Sequence, residues 1–265
     1  TADINGKQSE KVFLYAYLNA SFESGYSNPI DEAIRSYKTN DVKNYVKLDE
    51  RPYDFIRKRL SILLAEPVKN SGAQQTCIMI TKGALSNILS ICTKAEMEDG
   101  KIVDIEEASK TIEKLYEEYS GKGYRALGVA YKNIGIQSTI EDELETDMTF
   151  LGFITLFDPL KENIVKTIEE LKTLGVSLKI ITGDNKLVAG NIVSQMGIND
   201  AKILTGTEMH DISDGALLKK AGEVSVFAEV EPNQKERIII ALKKAGYVVG
   251  YMGDGINDVS ALHAA

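Results

Sequence analysis

The sequence predicts an α/β protein in two parts, on three observations. The second half alternates short apolar, β-like runs with amphipathic helical runs. Most of those helical runs stop at a glycine. The first half mixes helical and extended patterns without that regularity. At 265 residues and about 150 residues per domain, the chain holds one large or two ordinary domains.

In the first half, Ser9 begins an apolar-rich helical run through Leu14 and Leu18. Pro29 stands in the first turn of a second helix, followed by Asp31, Glu32, Ala33 and Ile34. Short runs rich in Ile and Leu predict strands at 45–48, 60–65 and 76–81. The clearest helix covers 105–119, where Ile105, Ala108, Ile112, Leu115 and Tyr119 recur at spacings of three and four. Gly121 and Gly123 end it, and 125–131 reads as a returning strand. The pattern then lapses into a polar stretch that closes in the acidic run 141–147. That run is expected to be a hinge between a domain over 1–140 and another over 148–265, its alternative being a solvated helix face.

Beyond it, strand 148–157 leads to helix 161–174, closed by Gly175, and strand 176–181 to helix 186–196, closed by Gly197. Strand 224–228 leads to helix 234–245, closed by Gly246, and then to strand 247–252. Repeated β-α units of this kind predict a parallel sheet covered on both faces. Ligands of such sheets bind beyond the carboxyl ends of the strands.

Composition narrows the function. Hydrophobic residues are 43% and charged residues 26%, the balance of a folded globular chain. The 31 basic and 39 acidic residues give a net charge of −8, which argues against nucleic acid or anionic lipid as the main partner. The longest apolar stretch, 148–157, is too short to cross a bilayer and contains two threonines. No secretory signal is visible. Cys77 and Cys92 make no paired metal or redox spacing, which predicts a reducing compartment. His210 and His263 are too few for zinc chemistry or a histidine-based triad. A first residue that is Thr1, and a last one, Ala265, inside an Ala-rich helix-like run, predict a piece of a longer chain.

Two of the strand ends in the second half carry sequence suited to chemistry. After 176–181 comes Thr182-Gly183-Asp184-Asn185, and after 247–252 comes Gly253-Asp254-Gly255-Ile256-Asn257-Asp258. Glycine lets a backbone turn sharply and present its N–H groups to an anion. Thr182 offers a hydroxyl and Asp184 a carboxylate at the start of a helix, where phosphate also binds. The alternative for this loop alone is a plain turn with an aspartate cap. In the second loop, Asp254 and Asp258 put two hard oxygen donors on one tight turn, suited to octahedral Mg²⁺ with phosphate as a further ligand. Asn257 adds a hydrogen bond without charge. Lys235, opening the helix after 224–228, is placed to reach toward a phosphate, or else is solvated.

These motifs, with Asp158-Pro159-Leu160-Lys161 and Lys82-Gly83-Ala84, resemble in order and spacing the cytosolic head of the P-type ATPases, haloacid-dehalogenase-like cation pumps driven by ATP. The stretches 14–19, 53–59 and 156–161 are most similar to the magnesium-importing branch. The resemblance implies an α+β nucleotide-binding domain with an antiparallel sheet, and a phosphorylation domain built on an incomplete doubly wound parallel sheet. It implies ATP and Mg²⁺ as cofactors. Lys82 and Gly83 would line the adenosine pocket, and Tyr53 would stack on adenine where relatives have phenylalanine. Arg125 would reach the nucleotide phosphates, and Asp158 would face the nucleotide at the hinge. Thr182 and Gly183 would contact the transferred phosphoryl group, Asp184 would lie toward the nucleotide, and Lys235 would neutralise phosphoryl charge. Asp254 would bind Mg²⁺, with Asp258 and Asn257 supporting it. Two departures stand out: Asn28 replaces an acidic residue near the adenine, and Glu229 replaces an arginine.

The family's nucleophile, the aspartate of an Asp-Lys-Thr-Gly-Thr segment, is absent from this sequence. The expectation is therefore a head that binds ATP without turning it over. Its partners would be the transmembrane and actuator domains of a parent pump, at the cytoplasmic face of the cell membrane. Two rivals remain: a phosphatase of the same superfamily, which lacks an Asp-x-Asp loop here, and a non-catalytic nucleotide-binding module.

Overall fold

The computed structural model describes residues 1–25, 28–67, 75–253, 255 and 258–265. The chain divides into two compact units, one of Thr1–Tyr119 with Ala126–Leu156, the other of Ser120–Arg125 with Phe157–Ala265.

The first unit opens with helices α1, Glu10–Phe22, and α2, Pro29–Tyr37. Their starts follow from local chemistry: the Ser9 side chain accepts from the Val12 N–H, the Asn28 side chain accepts from Ile30, and Pro29 occupies a first-turn position whose N–H is not needed. Strands β1 (Val46–Arg51), β2 (Arg59–Ala65) and β3 (Cys77–Ala84) follow, then helix α3 (Leu85–Leu89). Strands β4 (Cys92–Glu96) and β5 (Ile102–Asp104), helix α4 (Ile105–Gly121), and strands β6 (Tyr124–Ile134) and β7 (Met148–Phe157) complete this run. The strands make a seven-stranded sheet in the order β1-β2-β3-β6-β7-β4-β5. β1/β2, β2/β3, β3/β6 and β4/β5 are antiparallel, and β4/β7 is parallel.

Side chains alternate across a strand, and here both faces are covered. β3 sends Cys77 and Met79 into a core with Ile88, Ala108 and Ile112. It sends Ile78 and Ile80 into a second core with Val12, Phe13, Ala16 and Leu18. The near-continuous apolar runs of β2 and β3 follow from that two-sided burial.

In the second unit, helix α5 (Ile164–Thr173), strand β8 (Ile180–Ile181) and helix α6 (Lys186–Gln195) lead to strand β9 (Ile203–Thr205). Helices α7 (Gly206–His210) and α8 (Asp214–Ala221), strand β10 (Val226–Ala228), helix α9 (Pro232–Lys244) and helix α10 (Val259–Ala264) follow. The sheet is parallel, in the order β8-β10-β9. Leu204, Leu217, Phe227, Ile238 and Leu242 form its main core.

The predicted α/β class holds, with a mostly antiparallel sheet in one unit and parallel strands in the other. Several details differ from expectation, among them strand 176–181, of which only Ile180–Ile181 is a strand. Strand 148–157, expected to open the second domain, is β7 of the first unit's sheet, because β4 pairs along it from Cys92↔Met148 onward. The compact units accordingly divide at 119/126 and 156/157 and not at 141–147. The expected hinge holds a single 3-10 turn, Asp142–Leu144, and a buried Glu145. Residues 247–252, expected to be a strand, carry no strand assignment. A strand needs a pairing neighbour, and this segment joins no ladder of the β8-β10-β9 sheet, so Val248 and Met252 are fully exposed. α3, β4, β5 and the elements between 203 and 221 were not anticipated; most are five residues or shorter and show no clean period. Among the described residues no helix is long and apolar enough to cross a membrane.

Candidate functional site

In the first unit, Lys82 sits near the end of β3 with its side chain only 6% exposed. A buried ammonium needs a counter-charge, and Asp31, from the first turn of α2, supplies it through Oδ1. Glu23, just beyond α1, lies 3.6 Å from the same ammonium. Gly83 is required by close approach: an added Cβ would stand 2.4 Å from the Lys58 carbonyl oxygen. Lys58 itself has φ +49, a left-handed conformation uncommon for a residue with a side chain. Asn28, one of the two departures, caps α2.

Tyr53 is about half exposed and packs edge-on against Phe55, with ring centroids 5.6 Å apart. Next to this loop, Glu145 is almost wholly buried and is held by Arg57 at 2.8 Å, by Arg59 at 3.0 Å and by Arg51 at 3.3 Å. The Ser61 hydroxyl donates to it at 2.6 Å. Burial opposes ionisation of Glu145, but the Ser61 and arginine contacts outweigh it and hold the carboxyl below its usual range.

In the second unit, Thr182 continues β8 as the strand ends. Its N–H donates to the Phe227 carbonyl, and its own carbonyl accepts from Val230, so both sides of the loop are tied to the end of β10. The Thr182 hydroxyl donates to Asp184 Oδ2 at 2.9 Å and accepts from the Asp184 N–H at 3.0 Å. Arg125 pairs with Asp184 Oδ1 at 2.6 Å. Glu229 has φ +58, and its carboxylate accepts from the Lys186 N–H at the start of α6. A negative charge is favourable at a helix N-terminus, so this departure is engaged by its own fold. Asp158 is exposed in the segment after β7.

Lys235, in the first turn of α9, reaches Asp258 Oδ1 at 2.6 Å. The Tyr251 hydroxyl donates to the same oxygen at 2.7 Å, and the Gly255 N–H lies 3.3 Å from Oδ2. Burial pushes against ionisation of Asp258, yet these hydrogen bonds win and hold its carboxyl low. Gly253 is forced by contact, since a Cβ there would meet Asp258 Oδ2 at 2.6 Å. The expected residues Asp254 and Asn257 lie outside the described residues. Among the described residues no cluster of three or more His, Cys, Asp or Glu is poised for a metal. Both Asp258 oxygens are already engaged by Lys235, Tyr251 and the Gly255 N–H.

The structure therefore brings together Lys235 with Asp258, and Thr182 with Asp184 and Arg125. It places Lys82 with Asp31 and Glu23, neither of which was named as a site residue. Asp31 had a legible signal: it lies one helical turn before the buried Ile34, on the inward face of an amphipathic helix. Tyr251 had none beyond its place before the glycine-rich loop. Two cavities, of about 700 and 300 Å³, are lined by other residues, among them Asn5 and Glu98 in one and Asp214 and Arg237 in the other.

Residues 6–163 match the family model of the P-type ATPase cytoplasmic domain N, and residues 95–265 match that of haloacid dehalogenase-like hydrolases. The chain is 35% identical, over 99% of its length, to a magnesium-transporting ATPase, P-type 1, of Salmonella typhimurium, and 34% identical over 99% to one of Escherichia coli. It is 34% identical over 92% of its length to calcium-transporting ATPase 1 of Saccharomyces cerevisiae. The chain spans 29% of the length of those magnesium-transporting relatives and 27% of the yeast one. Matches this extensive, laid over a buried lysine-glycine pair and a Lys235–Asp258 pair beside a glycine-rich loop, place the chain in the P-type ATPase family, where it corresponds to the cytoplasmic domain N and a haloacid dehalogenase-like hydrolase region.

Proposed function

We propose that this chain is the nucleotide-binding part and most of the phosphorylation part of an ATP-driven cation pump, with Mg²⁺ as the imported ion. The observation that carries the reading is similarity over 99% of the chain to proteins named magnesium-transporting ATPases. In the whole pump, ATP would phosphorylate an aspartate outside this sequence, and transmembrane and actuator domains would couple that step to ion movement at the cytoplasmic face of the membrane.

Within this chain, Tyr53 offers a ring face to adenine, and Lys82 with Gly83 lines the adenosine side. Arg125 and Asp158 face the rest of the nucleotide. Thr182, Gly183 and Asp184 present a hydroxyl, backbone and a carboxylate where a phosphoryl group would sit. Lys235, held in place by Asp258, supplies positive charge to that group. Such a transfer depends on positioning and electrostatics more than on proton chemistry. Bound through Asp254, with Asn257 and Asp258 in support, Mg²⁺ would neutralise phosphate charge.

An ATP titration read by residue-resolved NMR, with and without Mg²⁺, tests this. Shifts at Tyr53, Lys82 and Arg125 are expected, with a Kd of roughly 0.1 to 1 mM, equivalent to about 4 to 5.5 kcal/mol. Shifts at Asp254 and Asp258 should need Mg²⁺. Tyr53→Ala should raise the Kd roughly tenfold, from loss of stacking worth about 1–3 kcal/mol. No movement at millimolar ATP would overturn the nucleotide role. Steady-state turnover that disappears in Asp254→Ala would overturn the expectation that this chain alone does not hydrolyse ATP.

A further inference from the structure

The buried polar atoms left without a hydrogen-bond partner among the described residues are Asn19 Oδ1, Ser21 Oγ, Glu23 Oε2 and Asp31 Oδ2. All four belong to α1, the turn after it, or the first turn of α2. Three of them, on Asn19, Glu23 and Asp31, gather near Lys82. Asn19 Nδ2 donates to the carbonyls of Leu60 and Ile80, and Leu60 is the ladder partner of Lys82.

The charges there do not balance if every carboxyl is ionised. Lys82 from β3 meets Asp31 from α2 and Glu23 after α1, two carboxyls for one ammonium. Glu50 from β1 adds to the field at Glu23, but it already has the Lys47 ammonium and accepts from the Ser24 N–H and hydroxyl. Two buried carboxylates side by side are unfavourable, and one proton held between them removes both the repulsion and the missing donor. Burial first, then the neighbouring Asp31 carboxyl, pushes the Glu23 carboxyl up to about 7 against the opposing pull of Lys82.

We propose that Glu23 and Asp31 share one proton, and that the pair thereby presents a single negative charge that holds the Lys82 ammonium in position for the nucleotide. Glu23 is a positioning residue. When it ionises, a second negative charge draws on Lys82 and pulls its ammonium away from the adenosine side, so the nucleotide is held less tightly. This rests on the nucleotide reading above.

The test compares ATP affinity of the wild type and Glu23→Gln between pH 6 and 8.5. The amide keeps a donor toward Asp31 but cannot ionise. Taking the ratio of the two Kd values at each pH cancels the titration of ATP itself. The wild-type to variant ratio should rise from about 1 at pH 6 to roughly fivefold or more at pH 8.5, the scale of a coupling of about 1 kcal/mol. Carbon-13 NMR of the Glu23 carboxyl should show it titrating near neutrality, and at lower pH in Asp31→Asn. Binding with a flat ratio, or Glu23 titrating in the ordinary carboxylate range, overturns the proposal. If neither protein binds ATP at millimolar concentration, the nucleotide reading itself has failed. Should Glu23→Gln fail to fold, the wild-type carboxyl titration still decides.

Discussion

The two units enclose charge to different degrees. In the first, the sheet is covered on both faces, and charged groups are enclosed: Glu145 under three arginines, and Lys82 against Asp31. In the second, the sheet has three strands of two or three residues; the Arg125–Asp184 pair is open, with the Arg125 side chain about half exposed, while the Lys235–Asp258 pair is mostly covered. Enclosed ion pairs are costly to break and fix side chains before any ligand arrives. More exposed pairs keep charge accessible to solvent and contribute less to stability.

The sharpest way to break the comparison is Glu145→Ala. Three guanidinium groups lose their common carboxylate, and removing one partner of a buried pair costs about 3–5 kcal/mol. Urea unfolding followed by circular dichroism should show that loss, and hydrogen exchange should accelerate first in β1 and β2. A loss below about 1 kcal/mol would mean that the enclosure adds nothing, and the contrast between the units would fail. Because the folded state holds the Glu145 carboxyl low, its contribution is present above its ordinary value of 4.5 and is lost as pH falls below that. The difference between wild type and variant should therefore shrink in acid.

Asp258→Asn probes the second unit. Lys235 and Tyr251 keep a hydrogen-bonding partner but lose the charge, and a loss of about 1.5 kcal/mol is expected, the lower end for hydrogen bonds to charged groups. The Asp258 carboxyl is also held low, so its contribution is full above 3.8 and fades below it. Thermal melts at pH 7 and pH 3 check both sign and window. A loss as large as that of Glu145→Ala would show that the second unit encloses its charge as tightly as the first.

The smallest effect is expected at Val248, which is fully exposed. Val248→Lys should change stability by no more than about 0.5 kcal/mol. A larger loss in the same melts would show that the 247–252 segment is packed in solution.

Local order was legible wherever local chemistry sets it. Ser9, Asn28 with Pro29, and the five apolar positions from Ile105 to Tyr119 announced α1, α2 and α4, because caps and helical periodicity are written in neighbouring residues. The loop at Thr182 and Asp184 was legible for the same reason. Asp31 was visible as a helix-start residue but not as the partner of Lys82, since 51 positions separate the two. Glu145 looked like part of an acidic hinge because nothing near it in sequence shows that Arg51, Arg57, Arg59 and Ser61 gather around it.

The sequence by itself determined the kinds of element, the glycine-rich loops at the strand ends, and the P-type ATPase family, through short motifs whose backbone and side-chain chemistry act over a few residues. Tertiary structure alone decided that β7 joins the first unit's sheet, that 247–252 is left without a ladder, and that Glu145 and Lys82 are enclosed. Pairing and burial depend on which distant segments meet, and the free energy of a buried charge is set by those neighbours and not by the residues beside it in the chain.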